Sequence, residues 1–271
     1  MNLHMAHPDN FNNGSLLSES GNNSAKKRPI SRWKAASIHL LISVAIALGA
    51  VVLLYFMWYP QPFFEASGGE FLLTLLVAVD VILGPLITLV IFNTKKKSLK
   101  FDLAVVALVQ LAALSYGMYT MYLARPVFVV YAHSQFKVVT ANEIEPEMLK
   151  HVTNAEYKSL SFSGPKYVFN VAPESTPDLD AFMYANEGLA PQYYVPFVEK
   201  SKESLKDGRP ISKLLGLHPD AKSLIDAKLK KSGKTLADLI YFALVAKEKN
   251  LTVLADAKTG GIVAVIPVNP F

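Results

Sequence analysis

The chain has 271 residues, 51% of them apolar and 18% charged, with a net charge of +5, a pI near 9.1 and no cysteine. The missing cysteine excludes disulfides, thiolate metal sites and cysteine nucleophiles, and the apolar content requires a bilayer-embedded portion to be considered before any globular fold. The basic excess does not read as a nucleic-acid face, because residues 1–123 hold only 15 of the 49 charged side chains and their lysines and arginines cluster beside apolar runs.

Residues 1–30 begin with an Asn-, Ser- and Gly-rich stretch that has too little apolar surface to order itself, and they are expected to form a disordered tail. Three apolar segments follow at about 38–58, 71–92 and 101–123. At about 1.5 Å per residue, each is long enough to cross a hydrocarbon core of roughly 30 Å. The first is too long for a cleavable signal and ends in Tyr55-Phe56-Met57-Trp58-Tyr59-Pro60, where a cleavage site needs small residues.

Orientation follows from the basic residues. Lys26, Lys27, Arg28, Arg32 and Lys34 precede the first segment, and Lys95, Lys96, Lys97 and Lys100 lie between the second and third. The loop from Tyr59 to Glu70 has no lysine or arginine, and only Arg125 and Lys137 follow the third segment closely. This predicts a cytoplasmic N-terminus and an exported C-terminal half. Trp58, Tyr59, Tyr119 and Tyr122 would then form an aromatic belt at the outer interface.

Residues 124–271 carry a charge density normal for a soluble domain. Pro126–Tyr131 and Phe136–Thr140 predict a hairpin, Glu145–Val152 a short helix and Lys166–Val171 a strand. Pro219–Lys231 reads as a helix stopped at Gly233, and Leu251–Ala255 with Ile262–Val268 as a second hairpin. The region from Pro173 to Leu217, rich in Pro and Tyr, gives no assignable pattern. The predicted fold class is a three-helix transmembrane bundle plus a C-terminal soluble α+β domain at 124–271.

Asp80 lies roughly 13 Å inside the second segment. A carboxyl at that depth costs about 2.5 to 3.5 kcal/mol, which the surrounding Leu, Ile, Val and Phe residues offset on insertion. Its functional readings are a contact with a partner helix or a proton relay; the alternative is a protonated Asp satisfied by a neighbouring helix. Pro85, after Gly84, removes a backbone donor and would free the carbonyl of Val81, predicting a kink beside Asp80. Gln110 falls at similar depth in the third segment, so a carboxyl–amide contact is expected. Ala45xxxGly49 and Ala113xxxGly117 would allow close helix approach. Asp80, Gly84, Pro85 and Gln110 are therefore the candidate partner-contact residues.

No catalytic, cofactor-binding or metal-binding pattern stands out. His4, His7, His39, His133, His151 and His218 lack ligand spacing, and Gly68-Gly69 and Gly260-Gly261 are isolated pairs, not phosphate loops. Tyr184, Tyr193 and Tyr194 read equally as a recognition surface or as part of a small core. The chain is expected to be neither an enzyme nor a nucleic-acid binder.

Several strings together resemble the TfpX/TfpZ family of type IV pilin accessory proteins. They are Arg32-Trp33-Lys34-Ala35 with His39; Trp58-Tyr59-Pro60-Gln61-Pro62 with Gly68-Gly69; Asp80-Val81-Ile82-Leu83-Gly84-Pro85-Leu86; Lys97-Ser98-Leu99-Lys100-Phe101-Asp102-Leu103; Gln110-Leu111-Ala112-Ala113-Leu114 with Tyr116-Gly117; and Arg125-Pro126-Val127-Phe128-Val129-Val130. The resemblance covers roughly residues 30–170 and is weaker beyond, although Asp256–Gly260 and the Pro270-Phe271 end also look similar. After Val130, Tyr131-Ala132-His133-Ser134-Gln135-Phe136 departs from the family's acidic-basic continuation.

The resemblance implies a bacterial inner-membrane protein with a periplasmic domain. It would act as a chaperone-like factor beside a cognate major type IV pilin and the pilus assembly machinery, among the inner-membrane lipids and with no cofactor. Such a pilin waits in the inner membrane with a long hydrophobic helix and a globular head outside. The competing class is a membrane sensor or small transporter with a periplasmic solute-binding domain, in which Asp80 would carry protons. Three helices are few for a transport path, and the cytoplasmic parts are short for signalling output.

Overall fold

A computed structural model describes residues 31–171, 187–230 and 232–271. The tail at 1–30, the stretch 172–186 with Tyr184, and Lys231 lie outside the described residues. Among the described residues, three helices are long and apolar enough to cross a membrane: α1 (Arg32–Trp58), α3 (Gly69–Ile91) and α4 (Leu99–Leu123), with a short α2 (Phe63–Ala66) between the first two. The Ser31 side chain caps α1 by accepting the Lys34 amide at 3.2 Å. α1 starts at Arg32, ahead of its apolar run at 38, because backbone hydrogen bonding continues through polar residues once a cap has satisfied the first amides.

α3 packs against both α1 and α4. The buried face of α1 consists of Ala36, Ser43, Ala47 and Ala50, leading to Leu54. The expected close approach through Ala45xxxGly49 is not made: both residues are exposed, and a Cβ on Gly49 would meet nothing within 4 Å. An Ala-rich helix carries small residues on more than one face, and the seam that meets α3 is another one. Gly117 lies against α3, where a Cβ would stand 3.5 Å from Leu76 Cδ1, while Ala113 is exposed. In α4 only Met121 is buried.

The soluble half is a sheet packed with short helices, an α+β domain. Its strands are β1 (Pro126–Ala132), β2 (Gln135–Thr140), β3 (Lys166–Asn170), β4 (Tyr194–Pro196), β5 (Arg209–Pro210), β6 (Leu239–Val245), β7 (Leu251–Asp256) and β8 (Ile262–Ile266). The order is β4-β3-β1-β2-β6-β7-β8, with β5 also paired to β6. β1 and β2 form an antiparallel hairpin whose two-residue turn holds His133 and Ser134 at φ of +49° and +64°, the left-handed pair that matches the twist of the strands. β1 runs parallel to β3, and β2 parallel to β6. The helices are α5 (Pro146–Lys150), α6 (Phe197–Lys200), α7 (Ile211–Leu217) and α8 (Ala221–Leu229).

The sequence pattern assigns no element to Leu239–Val245, yet this is the strand that joins the two halves of the sheet. It is apolar throughout and covered on both faces, so it lacks the alternation that marks a half-buried strand. On one face Phe242 and Leu244 join Val129, Tyr131, Phe136 and Val253. On the other, Leu239 and Tyr241 pack with Ile211, Leu214 and Ile225 of α7 and α8. Tyr194 is buried in a third cluster with Phe128, Tyr157 and Val168, which settles it as core.

The loop after α1 belongs to this domain. Phe63 and Ala66 of α2 are part of the same core cluster as Phe136, Phe242 and Val253. The carbonyl of Ala66 accepts the Glu248 amide at 2.9 Å, and Lys249 Nζ lies 3.1 Å from Glu65 Oε2. Gly68 follows at φ +82°, and a Cβ there would press on the Glu248 side chain at 3.1 Å, so both conformation and space favour glycine.

The expected aromatic belt is instead the core of this joint. Tyr59 is fully buried and donates its hydroxyl to the Met121 carbonyl at 2.7 Å. Burial raises its pKa above the ordinary value, with the Arg125 guanidinium opposing the shift. Trp58 packs its ring at a tilt to Tyr122 and edge-on to Phe162, with centroids 5.3 Å and 6.2 Å away. Arg125 caps the arrangement by donating to the carbonyls of Ser161 at 2.9 Å and Tyr122 at 2.6 Å. Of the four belt residues only Tyr119 stays exposed. A chain leaving the bilayer into its own folded domain can use interfacial rings to pack the junction, which hydropathy cannot distinguish from anchoring.

Candidate functional site

The second helix is irregular where the polar residues sit. Ala78–Leu83 forms a widened, π-helical segment in which the Gly84 amide donates to the Val79 carbonyl five residues back. Continuing that register would put the amide of residue 85 on the carbonyl of Asp80, and Pro85 has none. The carbonyl left over is therefore that of Asp80, one residue earlier than the Val81 carbonyl expected for a regular α-helix.

Gln110 of α4 meets this carbonyl. Its Nε2 donates to Asp80 O at 3.5 Å, the outer limit of a hydrogen bond. The expected amide contact with the Asp80 carboxyl is not made, because the freed backbone group takes the donor. Gly84 provides the room: a Cβ there would fall 1.9 Å from Gln110 Nε2 and 2.8 Å from its Cδ. Asp80, Gly84, Pro85 and Gln110 are thus assembled at one place, with Asp80, Gly84 and Pro85 all buried.

The Asp80 carboxyl is only 7% exposed, and its buried Oδ1 has no hydrogen-bond partner among the described residues. It stands at the floor of a cleft of about 270 Å³ between α1 and α4. His39, Ile42, Ser43 and Ile46 form one wall, and Ala107, Gln110, Leu111 and Leu114 the other. His39 Nδ1 lies 2.6 Å from the hydroxyl of buried Thr88. His39, Ser43 and Thr88 were missed as site residues. Their signal was periodicity: His39 and Ser43 are four apart on one helix face, and Asp80, Gly84 and Thr88 repeat at four on another. A carboxyl oxygen without a hydrogen-bond partner among the described residues, in a cleft lined by apolar side chains together with His39, Ser43 and Gln110, has spare hydrogen-bonding capacity toward a polar group entering it.

The model of the family described as fimbrial assembly protein FimB matches residues 27–68, which covers α1 and the docked loop. The fimbrial assembly protein of serogroup I from Dichelobacter nodosus is 26% identical over 254 residues, covering 91% of this chain and 98% of that protein. The serogroup E1 protein of the same organism is 25% identical over 254 residues, with the same coverage. The protein of serogroups C1 and C2 is 36% identical over 121 residues, covering 44% of this chain and 92% of that protein. No solved structure matches. With one relative matched at this identity over nearly its whole length, the chain belongs to the FimB family of fimbrial assembly proteins.

Proposed function

We propose that this protein is a non-catalytic, chaperone-like assembly factor for type IV fimbriae, of the TfpX/TfpZ type, which holds the hydrophobic helix of a cognate major pilin before its incorporation into the fimbria. The observation that carries this reading is the Asp80 carboxyl in the α1/α4 cleft, whose Oδ1 has no hydrogen-bond partner among the described residues. A pilin helix laid along α1 and α4 would cover their exposed apolar faces and bring one polar side chain to Asp80. Such a contact is worth roughly 0.5 to 2 kcal/mol in a membrane. The soluble domain, welded to the bundle through α2, would stand beside the pilin head in a fixed orientation. With the N-terminus cytoplasmic, the bundle lies in the inner membrane and the domain in the periplasm, where the pilin head also waits.

The test is crosslinking between photoreactive groups at the cleft, for example in place of Leu114, and the cognate pilin in intact cells. Asp80→Asn keeps hydrogen-bonding capacity and should crosslink nearly as well as the natural protein. Asp80→Leu should reduce both crosslinking and piliation at unchanged protein abundance. Normal crosslinking and piliation in Asp80→Leu would reduce Asp80 to a structural residue, and a strain lacking the protein that makes pili normally would remove the assembly role.

A further inference from the structure

Another cavity lies away from the cleft, on the opposite face of α4. It has a volume of about 820 Å³ and is enclosed by the domain-side ends of α3 and α4 and by the turn between β6 and β7. A second cavity of about 400 Å³ shares Ser67, Ala124, Asn142 and Lys247 with it, so the two form one crevice under the domain. Three features define its chemistry.

Lys247 and Lys249 face Glu65, Glu70 and Glu248 in the larger cavity, and the smaller one adds Lys137 and Glu143. Lys249 lies 3.1 Å from Glu65 and 3.9 Å from Glu70, which neutralise it. Lys247 and Glu248, adjacent in the turn, have no ion-pair partner among the described residues. On the shared wall stands Ser67, only 6% exposed, whose hydroxyl finds no hydrogen-bond partner among the described residues. The membrane-facing rim is apolar and aromatic: Phe71, Tyr116 and Tyr119 line the cavity and are all largely exposed. Tyr119 and Tyr116 lie about 6 and 10 Å along the helix from Leu123, the depth range of headgroups and upper acyl chains.

We propose that this crevice seats the headgroup of a zwitterionic, ethanolamine-type phospholipid. The phosphate pairs with Lys247, the primary ammonium donates to Glu248, Ser67 takes an oxygen of the phosphate or glycerol, and the acyl chains run along Phe71, Tyr116 and Tyr119. An anionic lipid would leave Glu248 unmatched and repelled. A choline headgroup has no N–H to donate to the Glu248 carboxylate. A lipid held here would fill the space between bundle and domain, and its binding depends only on the spans, not on the fimbrial role.

The experiment uses the full chain, equilibrated with vesicles holding equal amounts of phosphatidylethanolamine, phosphatidylcholine and phosphatidylglycerol, then extracted in mild detergent and examined by native mass spectrometry. The unmodified protein should retain the ethanolamine lipid over the choline lipid by about tenfold, as expected for one charge-assisted hydrogen bond. Glu248→Gln should remove that preference, Lys247→Ala should lower retention of both zwitterionic lipids by about tenfold, and exposed Lys158→Ala should leave both unchanged. Equal retention of the three lipids by the unmodified protein, or a preference for the glycerol lipid, overturns the proposal without recourse to any variant. So does a crosslink from the crevice to a fimbrial polypeptide in place of lipid.

Discussion

The amide of Glu248 donates to the carbonyl of Ala66 at 2.9 Å, tying the turn between β6 and β7 to the loop between the first two membrane-crossing helices. Because Phe63 and Ala66 also enter the sheet's core, the soluble domain is completed by residues that precede it by two helices. The bundle and the domain therefore form one folding unit, although their compositions differ sharply.

Phe63→Ala removes a ring that is 3% exposed and should destabilise the domain by about 3 to 5 kcal/mol, the usual range for a large side chain lost from a core. A fragment of residues 124–271 alone should be destabilised at least as much. Protease susceptibility across a denaturant series measures both. A fragment as resistant as the full chain would show that α2 is an ornament on a complete core.

Gly84→Ala should displace the Gln110 amide from the Asp80 carbonyl, since the new Cβ occupies its place. Losing this hydrogen bond should cost roughly 0.5 to 1.5 kcal/mol, and Gln110→Ala should cost about the same. The double variant should be scarcely worse than either single one, because both remove one interaction. Unfolding in mixed micelles gives the three values, and simple additivity would mean that Gly84 acts elsewhere.

The proposed orientation predicts that a phosphatase reporter fused after Lys137 is active and one fused after Lys97 is silent. The asymmetry of basic residues motivates it: nine flank the predicted cytoplasmic ends and two follow the third segment. The reverse pattern would place the domain in the cytoplasm and remove its access to an exported pilin head.

Asp256 makes the domain's stability acid-sensitive. One carboxyl oxygen accepts from the amides of Lys258 at 2.9 Å and Thr259 at 2.7 Å and from the Thr259 hydroxyl at 2.9 Å, while the other pairs with Lys234. The Lys234 ammonium, followed by the Thr259 amide and hydroxyl, holds this carboxyl well below its ordinary value of 3.8. A depressed folded pKa stabilises the fold fully above the unfolded value, and that contribution is lost as pH falls through it. Asp256→Asn should therefore melt lower than the natural protein at neutral pH, with the gap closing below about pH 4. A gap that persists on acidification would assign the effect to packing.

Much of the membrane half can be read from residues alone. The three apolar runs, their lengths, and the depth and isolation of Asp80 are local properties of hydropathy and rise per residue. The hairpins of the soluble half follow from β-branched runs bounded by turn residues, and Tyr131 and Phe136 meet across β1 and β2 accordingly. Leu239–Val245 escaped because a strand buried on both faces has no period to detect. Gln110 meets Asp80 as its depth in the sequence predicts, but at the main-chain carbonyl, since the shift from i−4 to i−5 hydrogen bonding at Ala78–Leu83 leaves no mark in composition.

The sequence by itself determined where the chain becomes apolar, where charge returns, and that one carboxyl lies deep among hydrophobic residues, because these terms depend only on near neighbours along the chain. Only the tertiary structure decided that Trp58 and Tyr59 pack a joint, that Phe63 completes a core built from residues 126–266, and that His39, Ser43 and Gln110 line one cleft with Asp80. Those outcomes depend on which faces of distant segments meet. Close packing selects those faces over the whole fold, and local pattern carries no term for it.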